Sequence, residues 1–449
     1  MHHHHSDYVD VVSAKGPAKL SSTTKAIFIL MILVGFGVFG VLAFGIQGKE
    51  RLGWIAFLHN TYFFTLLSAA GVVTAAIMQV TRSHWGRTIK RFAEATGAFL
   101  PFAFVCILVL YLGVEHLYEW DADKEALHHY HNKHIWLEKN FWFVRQLVWV
   151  GALIVVSKVF LKWSTRPDQG LAHEKNPQLW SGVSGWKGAA SEIESCQAKQ
   201  SKWAVFYCIA FPVCVSMLAY DLIMSLDFRW FSAMFGGWNF TTAILTGWSS
   251  MVIISYLMST RFGVDHYISK PVYHDLGKLT FGFTVVWGYL FFAQWLVIWY
   301  GNLGHETGYL LTRFYDPVWR PLSLCVFAGV FLIPFIIGLS KQIKMSPKTF
   351  GPLALLSLGA VWLERFILIA PASMYFNRNE GKYWSENPFG PNGETLGEPL
   401  GNAVSILMAD AAVALGFLGV FGLLYAGWLY KRPIMVISDP RLDMGVNRH

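Results

Sequence analysis

Residues 279–300 read LTFGFTVVWGYLFFAQWLVIWY, a run without one ionised side chain. As a helix rising about 1.5 Å per residue, such a run covers the roughly 30 Å hydrocarbon core of a bilayer. A helix is also the open-chain form that satisfies every backbone polar group away from water. Trp299 and Tyr300 close the run with amphipathic rings of the kind that settle at headgroup depth. Gln294 is its one side-chain amide.

Outward from this run the pattern recurs along the chain. Comparable stretches lie near 26–46, 55–80, 97–118, 141–161, 203–226, 237–260, 321–340, 350–371 and 402–430, giving about ten spans. The 449 residues are 54% hydrophobic and 14% charged, where a soluble protein carries about a quarter charged. The composition therefore excludes an ordinary soluble domain. The net charge of +8 does not point to nucleic acid, because the Lys and Arg sit in short clusters between apolar runs.

Those clusters set an orientation. The N-terminal tail, the 2–3, 4–5, 6–7 and 8–9 connections and the C-terminal tail hold 23 Lys and Arg, against 10 in the alternate loops. Positive charge stays inside, so both termini are expected in the cytoplasm of a bacterial inner membrane. The first run ends in Gly-Ile-Gln-Gly-Lys without a small-x-small cleavage site and reads as a span, not a removable signal. The opening Met-His-His-His-His resembles a tag remnant and is set aside.

Cys106, Cys196, Cys208, Cys214 and Cys325 form no C-x-x-C, C-x-x-C-H or ferredoxin-type run. No covalent redox cofactor and no metal site is expected in this chain. The tract His128-His129-Tyr130-His131-Asn132-Lys133-His134 places its imidazoles side by side, without helical face spacing. It reads as a solvated outer loop contacting a partner, with a ferric or zinc site as the alternative. A b-type haem needs two facing histidines, and His59 with His116 is the pair nearest one depth; both lie close to helix ends.

A faint repeat runs with an offset of four spans. Span 3 ends with Tyr-Leu-Gly-Val-Glu115-His116 and span 7 with Trp-Tyr-Gly-Asn-Leu-Gly-His305-Glu306. Span 4 holds Trp142, Arg145 and Lys158 where span 8 holds Trp319, Arg320 and Lys341. Span 5 carries Tyr220-Asp221 and span 9 carries Glu364-Arg365. The expected fold is all-α, with four-helix bundles of spans 2–5 (55–226) and 6–9 (237–371). Peripheral spans 1 (within 26–54) and 10 (402–430) flank them, with tails at 1–25 and 431–449.

Ionisable groups inside spans cost several kcal/mol unless paired, so they are rare and mark function or buried ion pairs. His59, Glu115, His116, Arg145 and Asp221 fall at one level near the outer ends of spans 2–5. Such a level suits a quinol, whose two hydroxyls need hydrogen bonds and whose oxidation releases two protons. The opposing reading makes Arg145–Asp221 or Arg145–Glu115 a structural pair. Gln294, Glu364, Arg365 and Asp410, with His274 and Asp275 from the cytoplasmic side, are candidates for a proton path.

Tyr220-Asp-Leu-Ile-Met-Ser-Leu-Asp-Phe-Arg-Trp-Phe-Ser-Ala-Met-Phe235, His274-Asp-Leu-Gly-Lys-Leu279 and Trp287-Gly-Tyr-Leu-Phe-Phe-Ala-Gln294 resemble the NrfD/PsrC-like quinone-interacting membrane subunits. Within that family the chain resembles the ActF-type subunits of alternative complex III, a quinol:cytochrome c oxidoreductase. Trp299-Tyr-Gly-Asn-Leu-Gly-His-Glu306 is similar to a family stretch in which Pro-Glu stands where Gly304-His305 stands here. The resemblance implies two four-helix bundles and a subunit binding menaquinol or ubiquinol. Electrons would leave through a periplasmic iron–sulfur protein, with haem c on cytochrome c subunits and a paralogous NrfD-like subunit beside it. That paralogue is the stronger candidate for quinol oxidation, leaving assembly or proton translocation to this chain. A secondary transporter and a structural scaffold are the rival readings; no pair of Gly/Pro-broken spans marks the former.

Overall fold

Ten helices of the computed structural model are long and apolar enough to cross a membrane. They are span 1 (Ser22–Gly45), 2 (Glu50–Val80), 3 (Lys90–Leu117), 4 (Lys139–Lys175), 5 (Ala189–Asp227), 6 (Met234–Phe262), 7 (Lys270–Gly301), 8 (Arg320–Gly338), 9 (Pro347–Ala372) and 10 (Val404–Leu429). The structure describes residues 5–122, 127, 133–228, 230–374 and 400–447, and no strand occurs among them. The chain is an all-α, multi-span membrane protein. Local signals set several helix ends. The Ser21 hydroxyl accepts from the Thr24 amide at 3.1 Å to start span 1, and the Glu138 carboxylate accepts from Phe141 at 2.7 Å to start span 4. Gly263, at φ 61°, ends span 6 in the left-handed conformation that costs glycine least.

Spans 2, 3, 4 and 5 pack as a closed ring, each on the next and span 5 back on span 2. Spans 6, 7, 8 and 9 form a second ring, joined to the first where span 6 meets spans 2 and 5 and span 9 meets span 2. The apolar window of span 2 is 89% buried and that of span 1 only 17%, which puts span 2 at the centre and span 1 at the rim. Spans 1 and 10 touch backbone to backbone: a Cβ added at Gly35 would lie 2.3 Å from the Gly416 nitrogen. Close approach through small residues is how helices associate where lipid removes the hydrophobic drive. Span 10 also packs on span 2, so it brings its polar residue into the core as well as lining the periphery.

Both chain ends lie on one face. Ala18 donates to the Tyr430 carbonyl at 2.9 Å, Lys15 to Phe262 at 2.8 Å and the Trp180 indole to Ser13 at 2.9 Å. Beneath this terminal face runs a buried ionic network. Arg91 bridges Glu94 and Asp168, Asp168 accepts from the Ser438 amide at 2.8 Å, and Arg87 meets Asp439 at 3.2 Å. Burial pushes the Arg87 guanidinium down to about 10 in spite of Asp439. Span 4 has 37 residues, hence about 55 Å of helix, and its end outside the bilayer is clamped to span 5 by Arg166–Glu192 at 2.7 Å.

Candidate functional site

Spans 2 and 9 meet through two polar rungs one helical turn apart. In the first, His59 Nδ1 lies 2.6 Å from Asp410 Oδ2 and His59 Nε2 lies 2.9 Å from the Trp362 carbonyl oxygen. Asn60 donates to Asp410 Oδ1 at 2.9 Å and accepts from the Trp362 indole at 3.1 Å. A carbonyl can only accept, so Nε2 carries a hydrogen, and the Nδ1···Oδ2 contact then holds one further proton. The pair is either imidazolium–carboxylate or imidazole–carboxylic acid, net neutral in both forms, as a membrane interior favours. His59 and Asp410 are both fully buried.

In the second rung, Tyr62 donates to Asn239 Oδ1 at 3.0 Å and Arg365 donates to the same oxygen. Arg365 pairs with Glu364 at 2.9 Å, and the Trp287 indole donates to the other Glu364 oxygen at 3.0 Å. Hydrogen bonds thus run unbroken from span 2 through span 6 and span 9 to span 7. Asn239, absent from the sequence-level candidates, is the junction.

Glu364 is also part of the wall of a narrow cleft, of about 50 Å³, among spans 6–9 and the helix Gly304–Phe314. Its other walls are mainly apolar, with seven aromatic side chains among them, and Trp287 and Phe291 stack 5.2 Å apart at 3°. Gln294 Nε2, the Tyr309 hydroxyl and Trp238 Nε1 line it, are buried, and have no hydrogen-bond partner among the described residues. Buried donors are normally satisfied, so three together in one aromatic slot fit a ligand with oxygen acceptors.

Local chemistry holds the cleft open. Pro371 has no N–H to give the Ile367 carbonyl four residues earlier, and Arg313 Nε supplies that bond at 3.2 Å. Arg313 also reaches the Leu368 carbonyl at 3.0 Å and lies 3.6 Å over the Tyr309 ring. Trp230 stacks on the same ring at 3.7 Å. Tyr309 is therefore fixed in place while its hydroxyl is left unbonded. Arg313 counts as a loop charge in sequence, and its spacing of four from Tyr309 on an amphipathic helix is the signal that would have found both.

The remaining candidates distribute as follows. Arg145 and Asp221 do meet: Nη2–Oδ1 is 2.9 Å and Nε–Oδ2 is 3.1 Å. Gln146 and the Trp136 indole also donate to Asp221, at 2.8 and 3.1 Å, so its carboxylate is saturated by protein donors. The Arg145 guanidinium lies 3.9 Å over the Trp136 ring. Glu115 is exposed and His116 half-buried, 3.6 Å apart. His59 turns to Asp410, so the five quinol candidates do not converge. His274 and Asp275 begin span 7, where Asp275 pairs with Lys278 at 2.6 Å; they lie about 30 Å along the helix from Gln294. Of the histidine tract, His128–Asn132 lies outside the described residues; Lys133 Nζ donates to the Phe228 carbonyl at 2.6 Å.

Neither the family models nor the curated proteins compared with this chain give a match.

Proposed function

We propose that the chain is a quinol-interacting membrane subunit of a respiratory quinol:cytochrome c oxidoreductase of the NrfD-like kind, with the quinol headgroup in the cleft beside Glu364. One observation carries this reading. A slot of stacked aromatics with three buried, unpartnered donors shares a carboxylate with a hydrogen-bonded row through the membrane interior. Gln294, Tyr309 and Trp238 would hold the ring oxygens, and Glu364 would accept a proton. Oxidation of quinol to quinone releases two protons and two electrons. Glu364 takes up one proton and the second leaves to solvent, while the Arg365–Asn239–Tyr62 row only holds the carboxylate in place; the electrons pass to an iron–sulfur partner subunit. In this reading Arg145–Asp221 holds spans 4 and 5 together and His59–Asp410 stores a proton one turn from the row.

The test uses the tryptophans of the walls. A short-chain quinone should quench the fluorescence of the purified full-length protein saturably, since Trp238, Trp287 and Trp295 line the cleft. Gln294→Leu should weaken that binding about tenfold, roughly the 1.4 kcal/mol of one lost hydrogen bond. Identical titrations of wild type and variant would remove the quinol from this cleft.

A further inference from the structure

At the terminal-face end of spans 4 and 10 lies a second cleft, of about 410 Å³, that the quinol reading does not use. Lys158, Lys162, Arg166 and Arg432 line it beside Trp428, and no acidic side chain is among the described lining residues. Arg166 is already bonded by both Glu192 oxygens, at 2.7 and 3.0 Å. Lys158, Lys162 and Arg432 form no ion pair among the described residues. Arg432 gives Nη1 to the Trp428 carbonyl at 2.8 Å and stacks 4.1 Å over that ring, while its Nε is buried without a partner.

The depth of the cleft identifies its ligand. Span 4 starts at Lys139 on the opposite face, so Lys158 lies about 28 Å further along the helix, close to one hydrocarbon thickness. Lys162 and Arg166 follow at four-residue steps, on one helical face through the headgroup layer. Trp428 sits one residue before the end of span 10, at the same boundary. Val155, three residues before Lys158, and Leu424, four before Trp428, are exposed apolar surface on the lipid side.

From this we infer that the cleft binds the phosphate of an anionic phospholipid headgroup, held by Lys158, Lys162 and Arg432, with acyl chains running down past Val155 and Leu424. Burial and the Arg91 charge lower the Arg432 guanidinium to about 10, against the pull of Glu94. Arg432 is still cationic at neutral pH and gains from a phosphate partner.

Native mass spectrometry of the full-length protein, released from vesicles of phosphatidylcholine with or without phosphatidylglycerol, tests this. Wild type should retain phosphatidylglycerol. Combined Lys158→Gln, Lys162→Gln and Arg432→Gln should weaken retention roughly hundredfold, at about 1 kcal/mol per cation and 1.4 kcal/mol per tenfold. The single exposed-site variant Lys162→Gln, which leaves folding undisturbed, should weaken it about fivefold. Equal retention by wild type and Lys162→Gln overturns the site. Competition by inorganic phosphate at the lipid's own concentration would make it a free-anion site and overturn the lipid assignment. Shielding of Lys158 and Lys162 from an amine reagent in the assembled complex, without lipid, would assign the face to a protein partner.

Discussion

His59 and Asp410 stand 351 positions apart in sequence and share a 2.6 Å hydrogen bond in the interior of the membrane domain. The contact ties the most buried span of the first ring to the last span of the chain. Asp410→Leu strands His59 Nδ1, a buried polar group worth about 1–3 kcal/mol when left unpaired, and leaves the Asn60 amide to backbone acceptors, chiefly the Ala56 carbonyl at 2.9 Å. Asp410→Asn keeps a hydrogen-bonding side chain of the same shape and should cost far less. Thermal unfolding of the two purified variants separates them; equal melting would mean the pair does not hold span 10.

Arg145 and Asp221 present a different problem, because removing one charge leaves the other in a dry setting. Asp221→Asn should lower stability by about 3–5 kcal/mol. The yield of assembled protein should fall, while quinol turnover per assembled complex stays near wild type. Normal yield with depressed turnover would restore the outer end of spans 2–5 as a working quinol site.

Topology gives a third expectation, drawn from the 23 to 10 asymmetry of basic residues. Reporter domains fused after Lys344 should read cytoplasmic, and fusions within 380–398 should read external. The reverse pattern would overturn the orientation read from the basic residues.

The ten spans were legible because apolar length is a one-dimensional property, and the structure places helices over every run read from sequence. The bidentate Arg145–Asp221 contact was among the pairings the spacing allowed, since the two residues lie at similar depth on consecutive spans. What sequence could not give is rotation about each helix axis. Depth alone grouped His59 with Arg145 and Asp221, but rotation points His59 at span 10. For the same reason Asn239, a neutral side chain on span 6, drew no notice although two spans bond to it. Position in the chain also hid buried charges: Arg91, Asp168 and Arg313 belong to loops or helix ends, yet all three are buried. A loop charge that satisfies an orphan carbonyl, as Arg313 does beside Pro371, looks in sequence like any other topology signal.

The C-terminal tail supplies a pH test away from the bilayer. Burial alone would raise the Asp439 carboxyl. The Arg441 hydrogen bonds at 2.9 Å and the Arg87 charge outweigh it and hold the carboxyl below its ordinary 3.8. A depressed carboxyl binds fewer protons folded than unfolded, so its stabilisation is complete above the ordinary value and is lost as pH falls through the folded one. Hydrogen exchange of residues 431–447 should therefore stay slow from neutral pH down to about 4 and accelerate only below it. Arg441→Gln should move the onset to higher pH. An onset unchanged by that variant would detach the tail's docking from Asp439.

Glu364 is where the cleft and the buried row coincide, so its substitution bears most directly on function. Glu364→Gln keeps the size and shape, and its amide oxygen can still accept from Trp287 or Arg365. Removing the charge leaves the fully buried Arg365 uncompensated, so a stability loss of about 3–5 kcal/mol and a lower yield are expected here as for Asp221→Asn, and turnover is read per assembled protein. What disappears is the group proposed to take a proton from quinol in the cleft. Positioned acid–base groups contribute roughly 10²–10⁴ to rate, so quinol-dependent turnover should fall by about a hundredfold or more. Quinone binding by fluorescence quenching should change little, because Gln294, Tyr309 and Trp238 remain. Asp410→Asn in parallel should reduce turnover less than Glu364→Gln, since it lies a helical turn away from the row. Full turnover in Glu364→Gln, with binding intact, would leave the cleft a docking place without proton chemistry; loss of binding and assembly together would make Glu364 a structural partner of Arg365.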